Sequence, residues 1–211
     1  MKVTIFGATG GIGKWAVKHA LEKGYEVNAL VRNPSKMTIS NDRLMVLKGE
    51  INDYDAVKNV VAGSDAVIWC VGIPMKRKYE NMNSLEGHKV LLRAMQETGV
   101  KRLIDWGTPS IPFSEDKKSF ITIVPGILAG IALTQAKTEM VEIGKLVENS
   151  GLDWTIVRFM APKDNAYTGR VKVGFGDTKM KFAISREDIA AFMVEQVEDD
   201  KYLKSMPIIG S

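Results

Sequence analysis

Short apolar stretches alternate along the chain with longer segments in which apolar residues recur every three or four positions. The stretches are rich in β-branched residues, which is typical of strands, and the spacing in the segments is typical of helices with one buried face. Strands are predicted at 2–6, 26–31, 44–47, 66–71, 103–106 and 154–157, and helices at 12–23, 53–62, 84–98 and 134–149. Such alternation predicts an α/β fold in which helices cover both faces of a doubly wound parallel sheet.

The pattern changes after the sixth strand. Short strands are predicted at 170–173, 179–182 and 206–209. Ser185 begins a predicted helix that runs to about Val197, and Asp188 stands where a capping box has its acid. Asp53 is the predicted N-cap of the second helix, and Gly99 ends the third.

Length and composition fit one globular domain. The chain has 211 residues, 45% hydrophobic and 26% charged, with a formal net charge of +4. We expect one domain over 1–211, with substrate-side insertions at about 108–133 and 160–183. No targeting signal or membrane-spanning run is recognisable, and Cys70 is a single cysteine, so we expect a cytoplasmic protein without disulfides or a membrane partner. The mild charge does not indicate nucleic acid as a partner.

The most informative segment is the glycine-rich turn Gly7-Ala8-Thr9-Gly10-Gly11-Ile12-Gly13 between the first strand and the first helix. Gly7 permits a tight turn, Gly10 lets the backbone approach a diphosphate, and Gly13 lets the helix pack closely on the strand. The helix N-terminus offers unpaired N–H groups and the positive end of its dipole to an anion. An ordinary glycine-rich turn is the alternative, but this position favours dinucleotide binding.

Arg32 follows the second strand, where an NAD site usually has an acidic residue that accepts from the ribose hydroxyls. A guanidinium instead suits a 2′-phosphate, which it binds in bidentate geometry, and Lys36 is near enough in sequence to assist. The alternative is a solvated arginine at a strand end. Arg32 therefore favours NADP(H) as the cofactor over NAD(H).

Further motifs extend over nearly the whole chain: Val31-Arg32-Asn33-Pro34, Gly49-Glu50-Ile51-Asn52-Asp53, Asp65-Ala66-Val67-Ile68, Gly99-Val100-Lys101-Arg102, Ser150-Gly151-Leu152-Asp153-Trp154-Thr155-Ile156-Val157-Arg158 and Ile184-Ser185-Arg186-Glu187-Asp188-Ile189-Ala190. With the glycine loop, they resemble the atypical short-chain dehydrogenase/reductase superfamily, and within it the NmrA-like and biliverdin (flavin) reductase-like NAD(P)-binding proteins. The resemblance implies a Rossmann-type doubly wound parallel sheet in a single domain with small C-terminal insertions. It also implies adenine contacts at Glu50 and Ile51, backbone contacts at Cys70, Val71 and Gly72, and nicotinamide contacts at Phe159, Met160 and Ala161.

The catalytic motif of the superfamily is incomplete here. Most members have a hydroxyl residue after the fifth strand and Tyr-x-x-x-Lys on the next helix, and this chain has Gly107-Thr108 and Leu133-Thr134-Gln135-Ala136-Lys137. The resemblance implies that Gly107 and Thr108 contact the cofactor, that Thr108 takes the hydroxyl role, and that Lys137 holds the nicotinamide ribose. Leu133 replaces the tyrosine, so the acid that protonates a developing alkoxide is missing. Acceptors that delocalise charge, such as flavins, quinones and linear tetrapyrroles, are therefore favoured over alcohol dehydrogenase or epimerase chemistry.

Two hypotheses remain from the sequence. The first is an NADPH-dependent reductase of a small, flat, conjugated acceptor; the alternative is a non-enzymatic NADP(H) sensor that acts through a protein partner. The apolar residues 120–133 fit a pocket wall or lid, a subunit contact or plain core, so a homodimer stays open. Lys76-Arg77-Lys78-Tyr79 is interpreted as a solvated charge run, with attraction of an anionic substrate group as the alternative. His19 and His88 are expected to pack or to lie at the surface rather than to act in catalysis or bind a metal.

Overall fold

The computed structural model describes residues 1–117, 119 and 132–211. Its strands are β1 (Lys2–Phe6), β2 (Glu26–Val31), β3 (Leu44–Lys48), β4 (Ala66–Trp69), β5 (Arg102–Gly107), β6 (Asp153–Arg158), β7 (Pro162–Lys163), β8 (Lys172–Gly174), β9 (Ile184–Ser185) and β10 (Ile208–Gly210). Its helices are α1 (Gly13–Glu22), α2 (Tyr54–Val61), α3 (Asn83–Thr98), α4 (Thr134–Glu148) and α5 (Arg186–Glu195).

Among the described residues, eight strands form one sheet in the order β3-β2-β1-β4-β5-β6-β10-β8. All neighbours pair in parallel except β8, which runs antiparallel to β10. The chain therefore winds outward from β1 in both directions, and the carboxyl ends of β1 and β4 meet where the winding reverses. This confirms the predicted Rossmann-type doubly wound α/β fold.

Helices cover both faces of this sheet over separate apolar clusters. On one face α1 and α5 pack together, with Val17 and Ile189 buried beneath them. On the other face α2, α3 and α4 bury residues such as Leu91 and Met140. Every residue of β4 is fully buried. An apolar strand of this kind is expected where both faces of a parallel sheet are covered.

The predicted helix ends are largely confirmed. The side chain of Asp53 accepts a hydrogen bond from the Ala56 N–H at 3.1 Å, and Gly99 ends α3 with a φ of +76°. The capping box predicted for α5 is wrong in its second half. Ser185 does cap the helix, but Asp188 accepts hydrogen bonds from the N–H and hydroxyl of Thr168 instead of reaching back to the cap.

The C-terminal strands differ most from the prediction. Residues 179–182 do not form a strand; Lys181 exchanges two backbone hydrogen bonds with Ser211, and the ladder does not continue. The reason is that β8 already pairs with Ile208, Ile209 and Gly210, so the returning chain meets only Ser211, the residue that follows β10. β7 and β9, which pair with each other, were not expected from the pattern because each has only two residues.

Two sequence predictions fall partly or wholly outside this description. The apolar segment 120–133 lies almost entirely outside the described residues, since only 132 and 133 are included. The limits given for the domain and its insertions stay predictions. Within residues 1–117 and 132–211, every helix is too short or too polar to cross a membrane.

Candidate functional site

The glycine loop, residues 7–13, is shaped by close backbone contacts. Gly7 has a φ of +73°, and a Cβ at this position would lie 2.5 Å from the Cys70 carbonyl oxygen. A Cβ on Gly13 would overlap the Gly7 carbonyl oxygen, which accepts a hydrogen bond of 2.8 Å from the Gly10 N–H. Only glycines at 7 and 13 permit this flat turn.

The loop leads into α1 without a side-chain cap. Ile12 occupies the N-cap position, and its side chain cannot accept hydrogen bonds from the first-turn N–H groups. The Lys14 and Trp15 N–H groups donate to the carbonyls of Gly10 and Ile12, so the first turn is closed by backbone hydrogen bonds. What this end offers an anion is the positive end of the helix dipole behind a turn without side chains, which fits the diphosphate of a dinucleotide.

A cavity of about 640 Å³ opens over this loop at the carboxyl edge of the sheet. Its described lining residues are Gly10, Gly11, Ile12, Cys70, Gly72, Met75, Trp106, Thr108, Ser110, Ala132, Leu133, Ala136, Lys137, Met140, Phe159, Met160, Ala161, Pro162, Arg186 and Met193. Most of these side chains are apolar, and the few polar ones are Thr108, Ser110, Lys137 and Arg186. Such a lining is typical of small-molecule and cofactor sites.

An aromatic pair forms one wall of the cavity. The rings of Trp106 and Phe159 lie 5.7 Å apart between centroids and are inclined by 26°. The Trp106 indole N–H donates to the Val71 carbonyl at 2.9 Å, and the Phe159 N–H donates to the Gly107 carbonyl at 3.0 Å. The indole hydrogen bond holds the Trp106 ring, and the Phe159 ring, only 3% exposed, is stacked against it from within the core.

Two hydroxyl groups and a lysine supply polar groups of the cavity. The hydroxyls of Thr108 and Ser110 lie 2.6 Å apart and share a hydrogen bond. Lys137 lies one helical turn after Leu133, whose carbonyl accepts the Lys137 N–H at 2.8 Å. Leu133 also lines the cavity, so an apolar side chain occupies the place that the resemblance gives to tyrosine.

A loop-to-helix contact holds the first turns of α4, which carry Lys137. The Gln135 amide both accepts from the Tyr79 N–H at 2.8 Å and donates to the Tyr79 carbonyl at 2.6 Å. The Tyr79 hydroxyl donates to the buried Glu139 carboxylate at 2.5 Å. Burial, and secondly this carboxylate, raise the pKa of the Tyr79 phenol. These hydrogen bonds hold Tyr79 against α4, and Tyr79 does not line the cavity.

Cys70 lies at the floor of the cavity, beside the glycine loop. Burial, with a smaller contribution from the charge of Asp105, raises the pKa of its thiol to about 12. The Asp105 carboxylate accepts a hydrogen bond from the Trp106 N–H and lies 3.0 Å from His88 Nε2. The side chains of Asp105 and His88 are both buried. A protonated thiol is a weak nucleophile, so Cys70 is unsuited to covalent chemistry. His88 packs in the core as expected.

The structure brings together ten of the predicted site residues around this cavity: Gly10, Gly11, Ile12, Cys70, Gly72, Thr108, Lys137, Phe159, Met160 and Ala161. Eight others do not line it: Gly7, Thr9, Gly13, Arg32, Glu50, Ile51, Val71 and Gly107. Arg32, Glu50 and Ile51 follow β2 and β3, on the opposite side of β1 from the cavity. Their assignment to the adenosine half of a cofactor stays a prediction.

Sequence reasoning missed several residues of the cavity. Trp106 was assigned only to a strand, and Arg186 only to a helix start, although both line the site. Met140 and Met193 also line it, and no prediction singled them out. A signal existed for Arg186, since it lies in a motif at a helix start that follows a strand. No local signal marked Trp106 or the methionines, because their exposure to the cavity depends on distant elements.

Comparisons with known proteins agree with this geometry. A model of the NAD(P)H-binding protein family matches residues 7–200. Cinnamoyl-CoA reductase 1 from Arabidopsis thaliana is 33% identical over 112 residues, which cover 48% of this chain and 32% of that protein. Phenylcoumaran benzylic ether reductase 1 from the same plant is 28% identical over 233 residues, which cover 97% of this chain and 67% of that protein. The chain thus spans about a third to two thirds of the length of these relatives.

Solved structures share the fold over the full chain. The anaerobilin reductase ChuY from Escherichia coli O157:H7 superposes with a TM-score of 0.79 at 20% identity, covering 100% of this chain and 97% of that one. The oxidoreductase ylbE from Lactococcus lactis also gives a TM-score of 0.79 at 20% identity, covering 100% and 91%. At these identities the likeness shows the fold alone.

Proposed function

This chain belongs to the NAD(P)H-binding family, and from that premise we propose that it is a reductase that uses NADPH to reduce a small, flat, conjugated acceptor. The names of several relatives, among them phenylcoumaran benzylic ether reductase 1 and the anaerobilin reductase ChuY, support reduction as the reaction class. The acceptor, the preference for NADPH and the residue roles below are part of the proposal.

The observation that carries the proposal is the character of the cavity over the glycine loop. Its wall presents the Trp106 ring, which is held by its indole hydrogen bond and backed by the buried Phe159 ring, and methionine side chains such as Met140 adapt to a ligand of irregular outline. A planar conjugated molecule can lie against these surfaces and gain contact along its whole face.

The polar groups of the cavity agree with an acceptor that needs no strong acid. Thr108 and Ser110 are bonded to each other, and an aliphatic hydroxyl is a poor proton donor at neutral pH. Leu133 has no proton to give. A conjugated acceptor spreads the negative charge it receives, so its proton can come from water.

The bound cofactor supplies a hydride, and the chain supplies its position. The glycine loop and the N-terminus of α1 hold the diphosphate, and Arg32 selects the 2′-phosphate. Lys137 binds the nicotinamide ribose, and Thr108 orients the ring or the acceptor. The strained Ala161, with a φ of +45°, lies where the resemblance implies a nicotinamide contact.

The experiment is anaerobic oxidation of NADPH with a panel of flavins, quinones and linear tetrapyrroles. We expect turnover with at least one class and about a tenfold to hundredfold loss of kcat/KM in Lys137→Ala, from one lost charge-assisted hydrogen bond. Lys101→Gln is the control, because it removes a surface charge at the opposite edge of the sheet. Tight NADPH binding without turnover on the whole panel would replace this proposal with the sensor hypothesis.

Cofactor preference has a separate test. Arg32→Asp removes the phosphate partner and introduces an acceptor for ribose hydroxyls, so NADH should become the better substrate. Unchanged preference would refute the role of Arg32. Binding of both nucleotides by calorimetry gives the same comparison without depending on turnover.

A further inference from the structure

Arg186, the first residue of α5, lies directly over the glycine loop. A Cβ built on Gly11 would lie 3.0 Å from both Cδ and Nε of Arg186. Arg186 and Gly11 also line the same cavity. The missing side chain of Gly11 therefore leaves space for an arginine that comes from the far end of the chain.

The other charges at the start of α5 point elsewhere. Glu187 accepts a hydrogen bond from Lys18 Nζ at 2.9 Å, and it lies 3.4 Å from His19. Asp188 accepts hydrogen bonds from Thr168 and from the Gly169 N–H. Glu187 and Asp188 thus bind neighbouring elements, whereas Arg186 lies over the glycine loop.

The ion pair that holds Arg186 is weak enough to be exchanged. Its Nη1 lies 2.8 Å from Asp164 Oδ2, and the side chain of Asp164 is 79% exposed, whereas that of Arg186 is 28% exposed. An exposed carboxylate gains little from such a pair, because water and salt screen it. A diphosphate carries more charge and offers several acceptor oxygens in the geometry that a guanidinium prefers.

We propose that Arg186 binds the diphosphate of the dinucleotide from the side opposite the N-terminus of α1, exchanging Asp164 for phosphate oxygens. The diphosphate is then held between the N-terminus of α1 and a guanidinium contributed by α5. Since Asp164 follows β7, the exchange also frees this part of the substrate-side loop. The inference rests on the cofactor binding of the proposed function, not on the identity of the acceptor.

Calorimetric titration with two nucleotides tests this role. NADPH contains the diphosphate, whereas adenosine 2′-monophosphate contains the 2′-phosphate without it. We expect Arg186→Gln to weaken NADPH binding about tenfold to hundredfold and to leave the monophosphate unchanged. Arg186→Lys should fall between, because it keeps the charge but loses the bidentate geometry. Lys101→Gln, which removes the same charge at the opposite sheet edge, should leave both affinities unchanged.

Asp164→Asn separates direct contact from loop support. If Asp164 competes with the diphosphate, its neutralisation should tighten NADPH binding by about two- to fivefold. If Arg186 acts only by holding the substrate-side loop that carries Asp164, Asp164→Asn should weaken NADPH binding as Arg186→Gln does. That result would overturn the proposal.

Two further outcomes would count against the role of Arg186, and one would count against the proposed function. Equal loss for both nucleotides, or unchanged NADPH affinity with a higher KM for an anionic acceptor, would overturn the role given to Arg186. Absence of NADPH binding by the folded parent would instead defeat the proposed function itself. Thermal unfolding of each variant verifies that it is folded.

Discussion

The glycine loop and the opposite wall of the cavity, formed by 108–117 and 160–183, are held by different kinds of contact. The loop is one continuous segment, and its shape follows from backbone atoms that approach Gly7 and Gly13. The wall combines distant segments that side chains join, in addition to one backbone hydrogen bond from the Lys117 N–H to the Phe175 carbonyl. Arg158 donates hydrogen bonds to both Asp116 carboxylate oxygens and to the Ile111 carbonyl, and Asp188 binds Thr168.

Under the proposed function, this difference separates the segment that binds the nucleotide from the segments that select the acceptor. A loop shaped by backbone contacts is insensitive to most side chains, so it can stay constant while the rest of the cavity changes. A wall made of side chains is altered by a single substitution. We therefore expect changes in the loop to affect nucleotide binding first, and changes in the wall to affect stability and the acceptor.

The largest expected effect is on the anchor of the wall. Arg158 is fully buried, and Arg158→Met leaves the Asp116 carboxylate, 15% exposed, without its counterion. We expect the free energy of unfolding to fall by roughly 3–5 kcal/mol, measured by urea denaturation. Because the loop does not depend on this pair, the folded fraction should still bind NADPH.

The matched control removes both charges. The double variant Arg158→Met/Asp116→Leu should be more stable than Arg158→Met alone, because no buried charge is left unpaired. If the single variant were as stable as the parent, the pair would not anchor the wall, and the contrast drawn between wall and loop would fail.

A smaller loss of stability but a complete loss of binding is expected in the loop. In Gly13→Ala the new Cβ overlaps the Gly7 carbonyl oxygen, so the turn must open. We expect a loss of roughly 1–3 kcal/mol in unfolding free energy and no calorimetric NADPH signal. In Gly72→Ala the new Cβ has no atom within 4 Å, so the unfolding free energy of this variant should match that of the parent. Equal stability of the two variants would contradict the backbone argument.

The smallest effect concerns strain in the wall. Ala161 has a φ of +45°, a conformation that disfavours any side chain. Ala161→Gly should raise the unfolding free energy by about 0.5–1 kcal/mol, after the greater freedom of glycine in the unfolded chain is deducted. Ala183→Gly, at a nearby position without a positive φ, should lower it. A loss in both variants would show that Ala161 is unstrained.

Much of the sheet was predictable because its signals are local. The β-branched stretches gave all six major strands, although β4 ends at Trp69 rather than at Val71. Asp53 and Gly99 marked helix ends correctly, since a cap acts within a few residues of itself. Residues 179–182 were mistaken for a strand because alternation alone cannot show that β8 already pairs along β10.

The candidate site was predictable to a different degree in its two halves. The motif at 7–13 could be located from its spacing and its place in the chain, and Thr108 from the resemblance, which implies a hydroxyl after the fifth strand. The Trp106–Phe159 surface and the closeness of Arg186 to Gly11 could not, since their members lie 53 and 175 positions apart. The sequence around one residue of each pair does not indicate which distant residue it contacts.

The sequence by itself determined the doubly wound fold and the glycine loop, because periodicity, β-branching and the absence of a Cβ act over a few residues. Only the tertiary structure decided which side chains face the cavity, that Asp188 binds a loop instead of its own cap, and that Arg186 lies over the glycine loop. These outcomes depend on which helices pack side by side: α5 lies against α1 on one face of the sheet, and this contact brings the last helix to the first turn of the chain.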